Sequence, residues 1–378
     1  MTFDFNLYST PLLFGFVQGI VYALLFWFRG WRQGRLSDWI FGALLITFVF
    51  EIWEYMLGFA GVELLWREVN FVPRTFGLLL PPLAYYYLKS QFNADFRFEK
   101  RDFKHALPFL IYAAYHLLVF AGGPAFVQYW EQNIHRPLRI DFVEIGMRFI
   151  SQLLYFYWAY QLYREYQQWA PSQFSDTEAL SFRWFRNFLW AFLASNVFGW
   201  AMTLIDLWLN LDFWHDWWDE LFNAGLIYYL AVAGYAQIQP RKLHFSSVLV
   251  PEIAVSPKME KLSEADFQRW KTRVETMMKS EKPYLEPELA LSDLAQRLGT
   301  NVSVLSAVVN GAFGKNFNDY VNEFRVEAVK KMLKDPENNH YSLLGIGLEC
   351  GFNSKSTFNR AFKKITGLAP GDFVRAGE

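Results

Sequence analysis

The sequence predicts an all-α chain: an N-terminal seven-helix transmembrane bundle followed by a C-terminal tandem helix-turn-helix domain. Three observations predict it. Seven stretches in the first 240 residues are apolar over close to the length, about 20 residues, that a helix needs to cross the hydrocarbon of a bilayer. Basic residues collect in alternate connections between those stretches. After Pro283, two patterns of helix, glycine turn and helix follow one another. Composition agrees, since 53% hydrophobic and 20% aromatic residues exceed what soluble domains carry. The excess stops near Gln239, and from Arg241 onward charges are scattered as on a soluble surface. The expected boundaries are therefore a span domain over 1–240, a juxtamembrane linker with a connector helix over 241–282, and the helix-turn-helix domain over 283–378.

The apolar stretches run approximately from Pro11 to Phe28, Asp38 to Ala60, Phe71 to Leu88, Ala106 to Phe126, Phe142 to Tyr163, Trp184 to Leu209 and Trp217 to Ile238. Segments such as PLLFGFVQGIVYALLFWF lack the polar stripe every 3.6 residues that a soluble helix carries. The leader MTFDFNLYST holds Asp4 and no Lys or Arg, so the first stretch reads as a retained span and not as a signal peptide. Orientation follows from the connections. Arg29, Arg32 and Arg35 lie in the first, Lys89, Arg97, Lys100, Arg101 and Lys104 in the third, Arg164, Arg183 and Arg186 in the fifth, and Arg241 and Lys242 follow the last stretch. The opposite connections hold only Arg67, Arg74, Arg136 and Arg139, with comparable acids. The N-terminus is thus expected outside and the C-terminal domain in the cytoplasm, as a multi-pass protein of the bacterial cytoplasmic (inner) membrane with the lipid bilayer as its first partner.

Charged residues inside spans are costly and tend to face the bundle interior. In the expected topology they gather toward the outer side: Glu51 and Glu54 in the second stretch, Arg74 in the third, His116 in the fourth, Glu144 and Arg148 in the fifth, Asp206 in the sixth, and Asp219 with Glu220 and Asn223 in the seventh. This predicts a polar cavity open to the outside, a sensor pocket for an external ligand. The competing reading makes these residues interfacial, with Glu144 and Arg148, four apart on one face, satisfying each other. Catalysis finds little support. Asp206 and Asp219 lack the glycine-flanked acidic motif of intramembrane aspartyl proteases, one intramembrane histidine is too few for a metal hydrolase, and no phosphate loop or nucleophile elbow stands out. The chain reads as neither enzyme nor cofactor binder. The single Cys350 excludes a disulfide framework and reads as a packed structural thiol.

Between the spans and the C-terminal domain, Pro240, Pro251 and Pro257 mark an extended linker. A helix from Ser263 to Lys279 follows, with Ser263 and Asp266 as a capping arrangement and Phe267, Trp270, Val274 and Met277 forming one apolar stripe. The stripe suits either a twin in a dimer or the adjacent domain. It is the expected link through which a change in the spans reaches the C-terminal domain.

In the first helix-turn-helix unit Ser292 is expected to cap a helix with Leu294, Ala295 and Leu298 inward, Gly299 permits the turn, and Val302 to Asn310 form the second helix. A long amphipathic helix, Asn316 to Lys334, joins the units. In the second unit Gly351 makes the turn, Phe352 plugs the core, and Ser354 caps a helix to about Thr366. That helix presents Lys355, Ser356, Thr357, Asn359, Arg360, Lys363 and Lys364, with Phe358, Phe362 and Ile365 inward. A greasy side to seat the helix and a polar, basic side to enter a major groove is the division a recognition helix needs.

Over roughly residues 283 to 375 the chain resembles the AraC family of bacterial transcription regulators. The matching residues are the element from Arg325 to Ala328, Gly351-Phe352-Asn353 with Ser356 and Phe358, the run Phe362-Lys363-Lys364 with Gly367, and Pro370. The resemblance implies two units reading successive major grooves of double-stranded DNA, and binding as a homodimer is common in the family. It implies phosphate contacts for Lys363 and Lys364, while Lys355, Thr357, Asn359 and Arg360 stand near base edges. The family often carries a basic residue where this chain has Ala307, so the first unit contributes only Asn301, Ser303, Ser306 and Asn310. The expected function is a membrane-bound one-component regulator that senses a signal through its spans. The rival is a transporter or channel with an appended regulatory domain, which broken, internally repeated spans would favour.

Overall fold

The structure is a computed structural model describing residues 3–62, 70–177, 180, 182–237, 243–245, 263–338 and 340–377. Arg67, Arg241, Lys242, the end of the seventh stretch at Ile238 and most of the linker lie outside the described residues. The chain divides into two compact units, one of Met1–Tyr163 with Arg183–Ser246, the other of Arg164–Phe182 with Ser247–Glu378.

The first unit is helical: α1 (Ser9–Gln33), α2 (Leu36–Phe59), α3 (Leu80–Phe92), α4 (Leu107–Ala121), α5 (Pro124–Trp130), α6 (Ile140–Gln173, which runs on into the second unit), α7 (Phe182–Leu209) and α8 (Trp217–Tyr235). Among the described residues four helical segments are long and apolar enough to cross a membrane: Ser9–Gln33, Leu36–Phe59, Lys100–Ala121 and Arg183–Leu209. The third apolar stretch departs from expectation. It is helical only from Leu80, and its 13 residues rise about 20 Å, short of a bilayer core. Prolines are the cause: Pro73 precedes the helix, Pro81 and Pro82 occupy its first turn, and proline has no N–H to carry a helix through. The open segment finds other partners, with the Phe76 N–H donating to Glu51 Oε1 at 3.0 Å and Trp53 Nε1 donating to the Arg74 carbonyl at 3.1 Å. The fourth stretch is also shorter, ending at Ala121 before Gly123 (φ 83°) and resuming at Pro124.

Small residues draw the first unit together. A Cβ at Gly15 of α1 would stand 2.8 Å from the Ala224 Cβ of α8, and one at Gly19 would stand 2.4 Å from Val49 of α2, so the backbones approach as closely as small-residue packing allows. Phe26, Phe41, Tyr87, Trp184 and Phe188 fill the adjoining core. There Arg29 forks onto the buried Asp38 through two 2.8 Å bonds and donates to the Tyr235 carbonyl at 2.7 Å, so both charges are satisfied. The outward faces are the reverse of a soluble surface. Leu118 on α4, Ile150 and Leu153 on α6, and Trp190, Val197 and Leu204 on α7 are all exposed.

The second unit holds α9 (Glu264–Ser280), α10 (Leu291–Leu298), α11 (Val302–Phe313), α12 (Phe317–Lys334), α13 (Leu343–Glu349), α14 (Lys355–Thr366) and α15 (Pro370–Gly377). Side-chain oxygens of Ser263, Asn301, Asn316, Ser342 and Ser354 accept from the N–H three residues on and set where five of these helices begin. At α10 the expected cap, Ser292, lies inside the helix; Ala290 occupies the cap position and the Asp293 carboxylate accepts its N–H at 2.9 Å. Two apolar cores result. Val274, Met278, Leu294, Leu298, Leu305, Val308, Phe317 and Val321 build one, and Val326, Val329, Ile346, Cys350, Phe352, Phe358 and Phe362 the other. α12 belongs to both, its first half to one and its second half to the other. The stripe of α9 is consumed in the first core, with Val274 and Met278 fully buried and Phe267, Trp270 and Met277 packed beside them.

Candidate functional site

Glycines and aromatic residues seat α14. Gly351 takes φ 90°, and a Cβ there would fall 2.4 Å from the Tyr284 carbonyl oxygen, so no other residue makes this turn. A Cβ at Gly347 would come within 2.9 Å of the Phe358 ring, so α13 and α14 meet at van der Waals distance only with glycine there. With Phe358, Ala361 and Phe362 buried, the opposite side of α14 presents Lys355, Ser356, Asn359, Arg360, Lys363 and Lys364. Thr357 leaves the expected set. It shares the buried face with Ala361 four residues on, is 2% exposed, and its hydroxyl bonds Ser354 Oγ at 3.0 Å, so it secures the helix start. Lys364 reaches Asp319 Oδ1 at 2.6 Å and ties α14 to the first turn of α12. On α11, Ser303 and Asn310 are exposed and Ser306 is half-buried, with Asn310 Nδ2 donating to Ser306 Oγ at 3.3 Å. Positive charge therefore sits on α14, and α11 offers neutral polar groups.

Arg325 is the centre of the second unit. Its side chain is fully buried on α12. Nε donates to the Tyr284 carbonyl at 2.8 Å, Nη2 to the Glu286 carbonyl at 2.8 Å and Ser175 Oγ at 3.1 Å, and Nη1 to the Ser175 carbonyl and Asn322 Oδ1, both at 3.4 Å. Burial pulls its pKa down to about 10, with Asp176 acting against the fall, so it remains a cation at physiological pH. Cys350, 1% exposed, has its thiol pKa pushed up to about 11 by burial, as befits a packing residue.

The segment that meets Arg325 lies between two apolar stretches and was not anticipated. Phe174 bridges to Ala290, the Ser175 N–H donates to the Leu289 carbonyl at 3.1 Å, Asn318 Nδ2 donates to the Ser175 carbonyl at 2.7 Å, and Asn353 Nδ2 donates to Asp176 Oδ2 at 2.6 Å. A stretch from between α6 and α7 is thus stitched to both helix-turn-helix units and to the helix joining them. No motif marks it in the sequence.

In the first unit a cavity of about 890 Å³ is lined by all eight residues expected to form a pocket: Glu51, Glu54, Arg74, His116, Glu144, Arg148, Asp206 and Asp219. Glu144 and Arg148 do not satisfy each other. Glu144 pairs with His116 at 2.9 Å, Arg148 with Glu51 at 3.0 Å, and Arg74 with Glu54 at 2.6 Å. The Arg148 pair reaches across to α2 because Gly77 lets its guanidinium cross a bare backbone; a Cβ there would stand 2.7 Å from it. Glu131, His135, Asp141 and Asp216 also line the cavity and were missed, since all four lie in connections between the apolar stretches. Among the described residues no group of three or more His, Cys, Asp or Glu has the arrangement to hold a metal ion.

Residues 294–376 match a family model described as a helix-turn-helix domain. The chain is 30% identical over 88 residues to the uncharacterized HTH-type transcriptional regulator YtdP of Bacillus subtilis, a match covering 23% of this chain and 11% of that protein. It is 28% identical over 86 residues to an HTH-type transcriptional regulator of Mycobacterium tuberculosis, covering 23% of this chain and 32% of the other. A Streptomyces lividans protein named as an AraC-like transcription regulator is 28% identical over 83 residues, covering 22% and 26%. The chain therefore spans less than a third of the length of these relatives, and all three matches are confined to about a quarter of it or less. No solved structure matches it.

Proposed function

We propose that this chain, whose C-terminal domain is a helix-turn-helix domain of the AraC type, is a membrane-bound one-component transcription regulator. The observation that carries the reading is the division of α14, with Phe358, Ala361 and Phe362 buried and Asn359, Arg360 and Lys363 presented on the other side. Such a helix enters a major groove with basic residues on phosphates and polar ones at base edges. Four long apolar helical segments and the exposed aliphatic and aromatic faces of α4, α6 and α7 support immersion of the first unit in a bilayer. A seven-pass topology with the N-terminus outside is the arrangement that the basic connections favour, and it requires the open segment before α3 to complete the third crossing. The cavity serves as the sensor, and the strap around Ser175, together with α9, carries its state to the DNA reader.

DNA crosslinked to the full-length chain in its native cells tests this, beside a variant with Arg360, Lys363 and Lys364 changed to Ala. Discrete sites lost in the variant support the reading. Absence of discrete sites from both refutes it and favours a transporter.

A further inference from the structure

The cavity carries a charge imbalance that its ion pairs do not remove. Among the described residues its lining holds nine carboxylates against three guanidiniums and two imidazoles. Each guanidinium and each imidazole has its own carboxylate: besides the three pairs above, Arg136 holds Glu131 at 2.6 Å and His135 holds Asp141 at 2.6 Å. Asp206, Asp216, Asp219 and Glu220 are left, all at the end of α7 or around the start of α8. Glu220 is 94% buried (6% exposed) and its Oε2 has no hydrogen-bond partner; neither has Asp219 Oδ1. Buried carboxylate oxygens without partners are rare, because each forfeits its hydration. Four acids gathered there also repel one another, most strongly about the buried Glu220 and least at the exposed Asp206, so a cation entering there gains attraction and relieves repulsion together.

Size and surroundings narrow the kind of cation. A volume of about 890 Å³ lies within the range of sites for small organic molecules and far exceeds what one metal ion needs. Tyr55 and Trp200 also line the cavity, and aromatic faces attract ammonium groups.

Resting on the reading of this cavity as the sensor, we propose that its ligand is an organic cation, a protonated amine held by the unpaired wall of Asp206, Asp216, Asp219 and Glu220. The test uses the full-length chain in lipid nanodiscs at physiological salt, with spermidine as cationic probe and citrate as anionic probe. Spermidine is expected to raise the unfolding temperature saturably, and an Asp219→Asn, Glu220→Gln double variant to weaken its binding at least tenfold. Glu264→Gln, at an exposed site on α9, leaves binding unchanged if the effect belongs to the cavity and abolishes the proposal if it weakens it equally. Should the double variant fail to fold, Asp206→Asn alone is expected to weaken binding severalfold, and unaltered binding there overturns the proposal. Citrate binding in place of spermidine overturns the amine and keeps the sensor. Binding of neither overturns the proposal, and the sensor reading is then judged separately by whether Arg148→Met alters transcription at the crosslinked sites.

Discussion

Arg325→Ala is the substitution with the sharpest expected consequence in the C-terminal unit. The guanidinium is fully buried and donates to carbonyls of Tyr284, Glu286 and Ser175 and to side chains of Ser175 and Asn322. Hydrogen bonds to a charged group contribute about 1.5–3 kcal/mol each, but they are not additive, and removing a buried cation also removes its desolvation cost. Breaking a buried charged network typically costs about 3–5 kcal/mol; about 4 kcal/mol is expected here, because the carbonyls left behind are enclosed and lose their donors. At about 1.4 kcal/mol per decade, amide protection across α12 should fall by roughly a thousandfold. Hydrogen exchange of the full-length chain read by mass spectrometry measures it, with peptides of α1 and α2 as an internal control. Arg325→Lys keeps the charge but not the planar fork, and should lose about half as much. Protection in the Ala variant within tenfold of the parent would refute the assignment of Arg325 as the keystone of this unit.

The remaining expectations concern the strap, the turn, the DNA face and the topology. Asn353→Ala removes the bonds to Asp176 and the Pro287 carbonyl and should raise exchange in residues 172–177 while leaving α12 protected. Gly351→Ala drives a Cβ onto the Tyr284 carbonyl at a φ of 90° and should cost roughly 3 kcal/mol or more, seen as loss of protection throughout the second core. Arg360→Ala and Lys363→Ala should each lower the slope of log affinity against log salt by about one if the residue contacts a phosphate, whereas Asn359→Ala should alter sequence preference at unchanged slope. A cysteine placed at Asn133 or Asp212 should react with an impermeant reagent added outside, and one at Glu99 or Gln168 should not; all four positions are exposed, and the native Cys350 is buried and will not interfere. The opposite pattern would invert the topology.

What the sequence disclosed tracks the range of the forces involved. The C-terminal unit was legible because its signals are local: caps at Ser263 and Ser354, the glycine turn at Gly351, and a 3.6-residue alternation that separates Phe358 and Phe362 from Arg360 and Lys363. Even there, Thr357 was misplaced, since a hydroxyl in the first turn reads as presented until Ala361 shows which face is buried. The first unit was legible as apolar stretches, but hydropathy does not register backbone geometry, so Pro81 and Pro82 shortened α3 without lowering its apolar character.

Pairings across helices were the least legible. Glu144 and Arg148 stand at the spacing of a helical ion pair, yet each takes a partner from another helix, because Gly77 clears a path for the guanidinium and His116 lies nearer the carboxylate. That exchange changes the chemistry of the cavity. Had the two paired with each other, Glu51 and His116 would remain for a ligand and the site would carry mixed charge; with Arg148 and Glu144 matched across the bundle, what is left over is acidic. Likewise Arg325 was recognisable as a family element, while its partner Ser175 lies 150 residues away in sequence in a segment without a motif. Residues whose meaning depends on contacts of that separation become readable only when the fold is in hand.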